Sequence, residues 1–570
     1  MADRECEVLI AGGGTVGLAT AALLARHGVE ALVVERRDGP ATHPRATGVG
    51  QRTAEILRQL GLQEQFDEAC VDLSRSVGAI TADTLAAAAA QADIEAVKRS
   101  LPPRAQIMRT LSNEVGPAVP RGICPQVRLD RILAEAAREH GARIRYGTEL
   151  TGLRQAAEGV TATLSGPLGQ TEVRCRYLVA ADGARSLVRD RLGIGQDGPG
   201  WLGHPIINIH FIADLSPLTR GVAFVTCTTT NPVAPGVLIT IDGADHWVFH
   251  TGYDPNAGEQ PSGFTEQRCR DLVRAAIGQP DLAVGILDVA PWRVAGRVAR
   301  RFGDGRVFLA GDAAHVVPPT GAFGMNAGIA DAHNLAWKLA LVLAGKAAPA
   351  LLDTYQDERR PVAMFTMDQA LLRLHDPRLH WDRSPAMASA RAAVGAANAP
   401  VVQLGYRYSS SAVIDPQPVL PSLEDVTADL DGTPGSRLPH VWLRRAGQQI
   451  STLDLVGTGF ALLTGPDAAA WTAAAQSAEK STGLPVSIHR IGGASVPAPG
   501  EAASSLALAD PDGRWLAAAG LSPSGALLVR PDGFVAWRAP AAPPDPAAAL
   551  RQAARRLLGT GRERGRQPGS

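Results

Sequence analysis

Two short segments, far apart in the chain, carry residue types whose spacing can hold a large anionic cofactor. The first is Gly12-Gly13-Gly14-Thr15-Val16-Gly17, directly after the apolar run Val8-Leu9-Ile10-Ala11. Gly12, Gly14 and Gly17 fill the glycine positions of G-x-G-x-x-G. The first permits a tight turn, the second lets the backbone approach a pyrophosphate, and the third allows close helix–sheet packing. The helix that follows, through Arg26, points the amides at Thr15 and Val16 towards the phosphates, where partial positive charge favours an anion. Ala31–Val34 reads as the second buried strand. Glu35 at its tip can accept hydrogen bonds from ribose hydroxyls, with the basic Arg36 beside it. Strand, helix, strand and acid in register favour a dinucleotide site over an accidental glycine turn; NAD(P) remains open from this segment alone.

The second segment reads GDAAHVVPPTGAFGMNAGIADAHNLAWKL over 311–339. It predicts a strand end, a rigid proline pair, a glycine-rich loop and a helix whose N-terminus points into a cleft. Asp312, after Gly311, can bind a ribityl hydroxyl. Backbone amides around Gly321, Gly324, Met325 and Asn326, with the helix dipole, can stabilise negative charge on the N1–C2=O edge of a flavin. Pro318 and Pro319 fix a backbone wall against the ring without offering amide donors. The pair of segments therefore points to FAD.

The elements that must position these residues follow from pattern and length. A chain of 570 residues predicts several domains. Lys+Arg and Asp+Glu both total 56, so net charge makes no case for nucleic acid or an acidic membrane as partner. The six cysteines show no C-x-x-C spacing, and no H-E-x-x-H occurs, which argues against a disulfide framework or a metal site. The charged start leads straight into a core strand, and the apolar stretch 335–343 is too short to span a bilayer. A cytoplasmic setting is expected.

Helices are predicted over 53–60, Gln126–Glu139 and 326–344, with an alanine-rich helical excursion over 82–103. From about residue 200 the pattern turns to period two: Ile207, Ile209, Phe211 and Ala213 are apolar, while Asn208, His210 and Asp214 face the other way. Two strands at 236–241 and 246–251, joined through Asp242-Gly243, read as a hairpin. His246 and His250 share a face that either lines a substrate pocket or meets solvent. Trp292 either walls the ring cavity or packs in the core. His315 is expected to make a structural hydrogen bond, and Asp331 and Asn334 to be packing partners. A Pro/Gly-rich junction near 420 opens a separate C-terminal unit. The expected division is 1–200 and 296–420 for the two parts of the dinucleotide domain, 201–295 for an inserted β-sheet domain, and 421–570 for the C-terminal domain.

The second segment closely resembles the second FAD motif of the class A flavoprotein aromatic hydroxylases, the para-hydroxybenzoate hydroxylase-like family. Asp182-Gly183 within YLVAADGARSLVR is similar to that family's D-G motif, associated with the FAD pyrophosphate and NADPH. Gln126 with Arg128-Leu129 is similar to a helix start whose glutamine contacts the cofactor. Pro44-Arg45-Ala46 is similar to a loop with an arginine beside the flavin, and 352–361 to a structural signature after the long helix. The likeness spans about residues 5–380 and is nearest to phenol and chlorophenol monooxygenases and actinobacterial polyketide-tailoring hydroxylases.

The resemblance implies an α/β protein: a Rossmann-like FAD-binding domain, an inserted antiparallel substrate sheet, and a C-terminal thioredoxin-like α/β domain. That last domain lacks redox cysteines and is structural in this reading, homodimerisation being one use. The activity implied is NAD(P)H-consuming, O2-dependent hydroxylation of a phenolic or polyketide-derived aromatic through a flavin C4a-hydroperoxide. NADPH and NADH both stay open as donor. Arg45 and Pro318 would stand at the reacting ring, and His210, His246, His250, Trp292 and Pro318 near the substrate. Baeyer–Villiger or epoxidising oxygenation uses the same flavin site, and a non-catalytic flavoprotein that shields a reactive intermediate is the alternative of another class.

Overall fold

The apolar run behind the charged N-terminus forms strand β1 (Glu5–Ala11), whose Val8, Leu9 and Ile10 are fully buried. A turn at Gly12, whose φ of 105° is open to glycine at little cost, leads into helix α1 (Thr15–Arg26). Strand β2 (Ala31–Val34) then pairs in parallel with β1, Val8 opposite Ala31. Helix α2 (Gln51–Gln59) and helix α3 (Gln126–Glu139) follow, and strand β3 (Gly169–Ala180) returns to lie parallel to β1 on its other side. The computed structural model describes residues 5–560 apart from 44–45, 74–75, 77, 92–111, 121, 168, 220–222, 383 and 493–506. Of the alanine-rich excursion, Leu85–Gln91 is helical and the remainder up to 103 lies outside the described residues.

The period-two stretch forms the second sheet. Strand β4 (Gln196–Ile212) is followed by β5 (Gly236–Thr240), β6 (His246–Gly252), helix α4 (Glu266–Ile277) and strand β7 (Gly285–Ala299). β4 lies between β6 and β7, antiparallel to both, and β5 pairs with β6. This seven-stranded sheet also recruits Ala79–Ala82 and His315–Val316, from outside the period-two stretch; the first of these makes its one parallel pairing. One face carries Ile207, Ile209, Phe211, Trp247 and Phe249 against Cys269 and Val273 of α4, a core of its own. The opposite face carries Asn208, His210, His246 and His250.

The chain returns to the first sheet with β8 (Val307–Leu309), parallel to β3, and enters helix α5 (Phe323–Leu343) and helix α6 (Thr354–His375). The parallel order β8, β3, β1, β2 aligns the C-terminal ends of four strands along one edge. α5 and α2 each begin two to three residues before their expected starts. Neither has an N-cap side chain of its own: Gly50 and Ala322 occupy those positions. The Gly50 amide instead donates to Asn326 Oδ1 at 2.7 Å.

The C-terminal region holds a five-stranded sheet in the order Ala507–Leu508, Val486–Ile491, Phe460–Thr464, Ala526–Val529, Val535–Ala539. The first three are parallel and the last two antiparallel, with helices Ala469–Thr482 and Pro546–Leu557 packed together. The region is thus an α/β unit, as expected. Among the described residues, no helix is long and apolar enough to cross a membrane.

Candidate functional site

The sheet edge formed by the ends of β1, β2, β3 and β8 gathers Gly12–Gly17 in number order with Glu35, Asp182-Gly183 and Gly311-Asp312. Ligands of open α/β sheets bind outside the carboxyl ends of the strands, so sequence-remote groups meet here for a topological reason. The approach is close. A Cβ on Gly12 would stand 2.3 Å from the Ala181 carbonyl oxygen, and one on Gly17 would stand 1.9 Å from that of Gly12. A Cβ on Gly14 would meet nothing within 4 Å, which leaves open space where a pyrophosphate would approach. Val16 seals the two halves together: its methyls abut Gly311 and Gly328 of α5, where any Cβ would be 2.8 and 2.5 Å away.

Glu35 is buried and accepts hydrogen bonds from the Gly13 amide (2.8 Å) and from the Arg37 amide and guanidinium. Burial alone would raise its carboxyl, but the Arg37 and Gly13 donors outweigh it and hold the group below the usual range. The basic partner is Arg37; Arg36, singled out in the sequence, is exposed. Gln126 Nε2 donates to Thr15 Oγ1 at 2.8 Å, and Thr15 donates to Asp130, so the glutamine sits at the first turn of α1. Asp182 accepts from the Val188 amide; burial pushes its carboxyl up, and its Oδ1 has no partner.

At the other end, Asp312 is exposed at the tip of β8, Pro318 is buried and Pro319 exposed. Gly321 (φ 93°) and Ala322 (φ 54°) are both left-handed immediately before α5. A left-handed alanine costs about 1–3 kcal/mol, and such strain concentrates at functional sites. Gly324 and Met325 are half-buried in the first turn of α5. The Asn326 side chain is fully used: it accepts from the Gly50 amide and Thr53 Oγ1 and donates to the Gly48 and Ala322 carbonyls. It can face a cofactor only through its backbone, and its amide group clasps Gly48, Gly50 and Thr53, at the start of α2, to α5. Arg45 and Pro44 lie outside the described residues.

Under this end lies a buried ionic layer. Asp331 accepts from the Gly311 amide, from His315 Nε2 (2.6 Å) and from Arg359 (2.7 Å). Burial favours its neutral form, yet His315 and Arg359 keep it ionised, below the usual carboxylate range. His315 is fully enclosed and stacked on Phe302, a structural position. One turn on, Asn334 and Lys338 donate to Glu358, which also receives Ser410 and Arg530 from the C-terminal part of the chain.

The inserted sheet presents its histidines on the face that α4 leaves uncovered. His210 Nε2 and His246 Nδ1 are 3.5 Å apart, and His250 packs on Trp292 with ring centroids 5.7 Å apart. Four of the five residues expected near a substrate, His210, His246, His250 and Trp292, are thus brought together; the fifth, Pro318, is buried in the segment before α5. Two groups that sequence reasoning missed complete the cluster. His43 lies edge-on to His210, 5.7 Å between centroids, and its Nδ1–H donates to Asp288 on β7 at 2.7 Å. The signal was absent because the pair is 245 positions apart. Burial, with His43 and His246 nearby, lowers His210 to about 4; burial and His43 lower His250 to about 4. Both rings are therefore uncharged at neutral pH.

Comparison with known proteins agrees with this geometry. A family model described as FAD binding domain matches residues 5–370, and one described as aromatic-ring hydroxylase, C-terminal, matches 431–561. The chain is 41% identical to tetracenomycin A2 monooxygenase-dioxygenase of Streptomyces glaucescens, with 98% of each chain covered. It is 40% identical to 4-methyl-5-nitrocatechol 5-monooxygenase of a Burkholderia species, again with 98% of each covered. Among solved structures, a ternary complex of aklavinone-11 hydroxylase with FAD and aklavinone superposes with a TM-score of 0.82. That match has 38% identity and covers 98% of this chain and 100% of the other.

Proposed function

The chain belongs to the FAD-binding aromatic-ring hydroxylases and is an FAD-dependent monooxygenase; we propose that it hydroxylates an uncharged, electron-rich polycyclic aromatic of the polyketide type, using NAD(P)H and O2. The observation that supports this best is the shared sheet edge. It places the open Gly14 approach, Glu35 and the Asp312–α5 segment in one line, with a histidine-faced sheet beside them.

In this reading the first turn of α1, with Gly12, Gly14, Thr15, Val16 and Gly17 and with Gln126 beside it, receives the pyrophosphate. Glu35 takes the adenosine ribose, and Asp182-Gly183 borders the phosphates. Asp312 holds the ribityl chain, and the amides of Gly324, Met325 and Asn326 face the ring. When bound, FAD supplies the redox chemistry that takes electrons from NAD(P)H and delivers one oxygen atom from O2. The protein's share is positional. Pro318 and Pro319 wall the ring, the family resemblance puts Arg45 beside it, and His210, His246, His250 and Trp292 line the substrate side. That lining excludes bulk water while keeping hydrogen-bonding groups for substrate oxygens.

The purified protein is expected to be yellow, to oxidise NAD(P)H faster when hydroxylated polycyclic aromatics are added, and to place one atom of labelled O2 on the ring. A colourless protein that does not take up FAD overturns the reading. Label inserted beside a carbonyl with ring expansion replaces hydroxylation by Baeyer–Villiger chemistry.

A further inference from the structure

The uncovered face of the inserted sheet carries polar groups that the fold itself leaves unsatisfied. An ionised carboxylate can only accept, so the 2.7 Å contact with Asp288 requires the proton of His43 to sit on Nδ1. In the neutral ring, Nε2 is then the nitrogen with a lone pair to offer. It is buried and has no hydrogen-bond partner. Asn208, two residues before His210 on the same face of β4, has its carbonyl oxygen buried without a partner as well. Buried acceptors left unmade each cost about 1–3 kcal/mol, so two on one face point to donors that arrive with a ligand.

We propose that His43 and Asp288 form a catalytic dyad that takes the hydroxyl proton of a hydroxyaromatic substrate, while Asn208 accepts a hydrogen bond from a second hydroxyl. This deepens, and rests on, the hydroxylase reading above. In the step, the substrate O–H bond breaks, its electron pair stays on oxygen, and a new N–H bond forms at His43 Nε2. Asp288 steadies the resulting imidazolium, as a carboxylate behind a histidine does in other acid–base dyads. The phenolate left behind is the more electron-rich ring, which is what oxygen transfer needs. With its side chain half exposed, Asp288 gives the proton an exit to water.

The surroundings suit an uncharged ligand. His43 is faced by Asp288 from β7, His210 from β4 and His250 from β6; His246, on the other side of His210, is flanked by Asp242 and Asp245 at the far end. His210 and His250, held uncharged, offer hydrogen bonds without a cation to attract a carboxylate. The cofactor end is near in sequence, because Gly48, Gly50 and Thr53, a few residues beyond His43, are clasped by Asn326 at the start of α5.

Alizarin, a hydroxyanthraquinone that turns from yellow to red on ionisation, reports the step without turnover. Titrated on the FAD-loaded protein, bound dye should change colour at least about one pH unit below the free dye, a tenfold gain in acidity. H43N and D288N should each return the transition to that of free dye with the flavin absorbance intact. The half-exposed Asp288 makes the second variant safe for the fold. N208L should weaken dye binding about tenfold without moving the transition. If wild-type holoenzyme binds no dye, or if its transition is the same in all four proteins, the dyad is wrong. A protein that holds no FAD defeats the hydroxylase reading itself. One that holds FAD and hydroxylates, with an unmoved dye transition, defeats only the dyad.

Discussion

Two polar regions flank the flavin end of this molecule, and they are built on opposite plans. Beneath α5, the side chains of Glu358, Lys338, Asn334, Arg530 and Asp532 leave no buried polar atom without a partner. On the uncovered face of the inserted sheet, His43 and Asn208 keep acceptors with nothing to receive. Both regions are expensive to bury. The first is satisfied by the chain itself, so its job is done when the protein folds. The second is completed only from outside. Between these two groups of side chains, saturation more than the presence of charge is what differs.

The sharpest break of that contrast is R530M, which strands Glu358 and Asp532 in a fully enclosed site. Removing one partner of a buried ion pair costs about 3–5 kcal/mol, so urea unfolding should shift by that much, with flavin lost alongside. A shift below about 1 kcal/mol would mean the buried layer contributes no more than a surface pair. G14A is the next test. Its Cβ points into open space, so the apoprotein should melt like wild type, yet FAD affinity should fall at least about tenfold, or ~1.4 kcal/mol. Unchanged affinity would remove Gly14 from the phosphate approach.

Acid should act on the unsatisfied face. His210 and His250 drop from 6.5 in the unfolded chain to about 4 in the folded one. The unfolded state therefore binds more protons between those values, and stability present above pH 6.5 is lost as pH falls towards 4. The melting temperature should decline across that window, and H210N should flatten the decline. The smallest effect belongs to Arg58–Asp454, a partly exposed bidentate pair between α2 and the C-terminal domain. D454N should cost under about 1 kcal/mol and shrink further in salt, unlike R530M.

The contrast also explains what could be read from the sequence. The glycine turn, Glu35 and the strand ends of the first sheet are local patterns, and the structure brings them to one edge. The alternation at 207–214 gave the inserted sheet and the shared side of the histidines. Helix starts failed where the cap is tertiary: Gly50 borrows Asn326 Oδ1 from 276 positions away, a donor–acceptor pair invisible to any window. His43 with Asp288, and Arg530 with Glu358, failed for the same reason, since pairing across 245 and 172 positions is decided by sheet topology. Arg37 was passed over for its neighbour because alternation of side-chain direction beyond the strand end has no sequence signal.

Arg530 has a consequence for how the protein is made. Glu358 and Lys338 leave the ribosome long before it, with 172 positions between Glu358 and its guanidinium. At about 5–20 residues per second, that is a wait of roughly 10–30 s. Throughout it, Glu358 is held by Lys338, Asn334 and, once made, Ser410, and the guanidinium that completes the layer is still missing. The nascent N-terminal two-thirds is thus held short of its final packing until the last part of the chain is translated. Premature termination would leave Glu358 without the arginine that completes its layer.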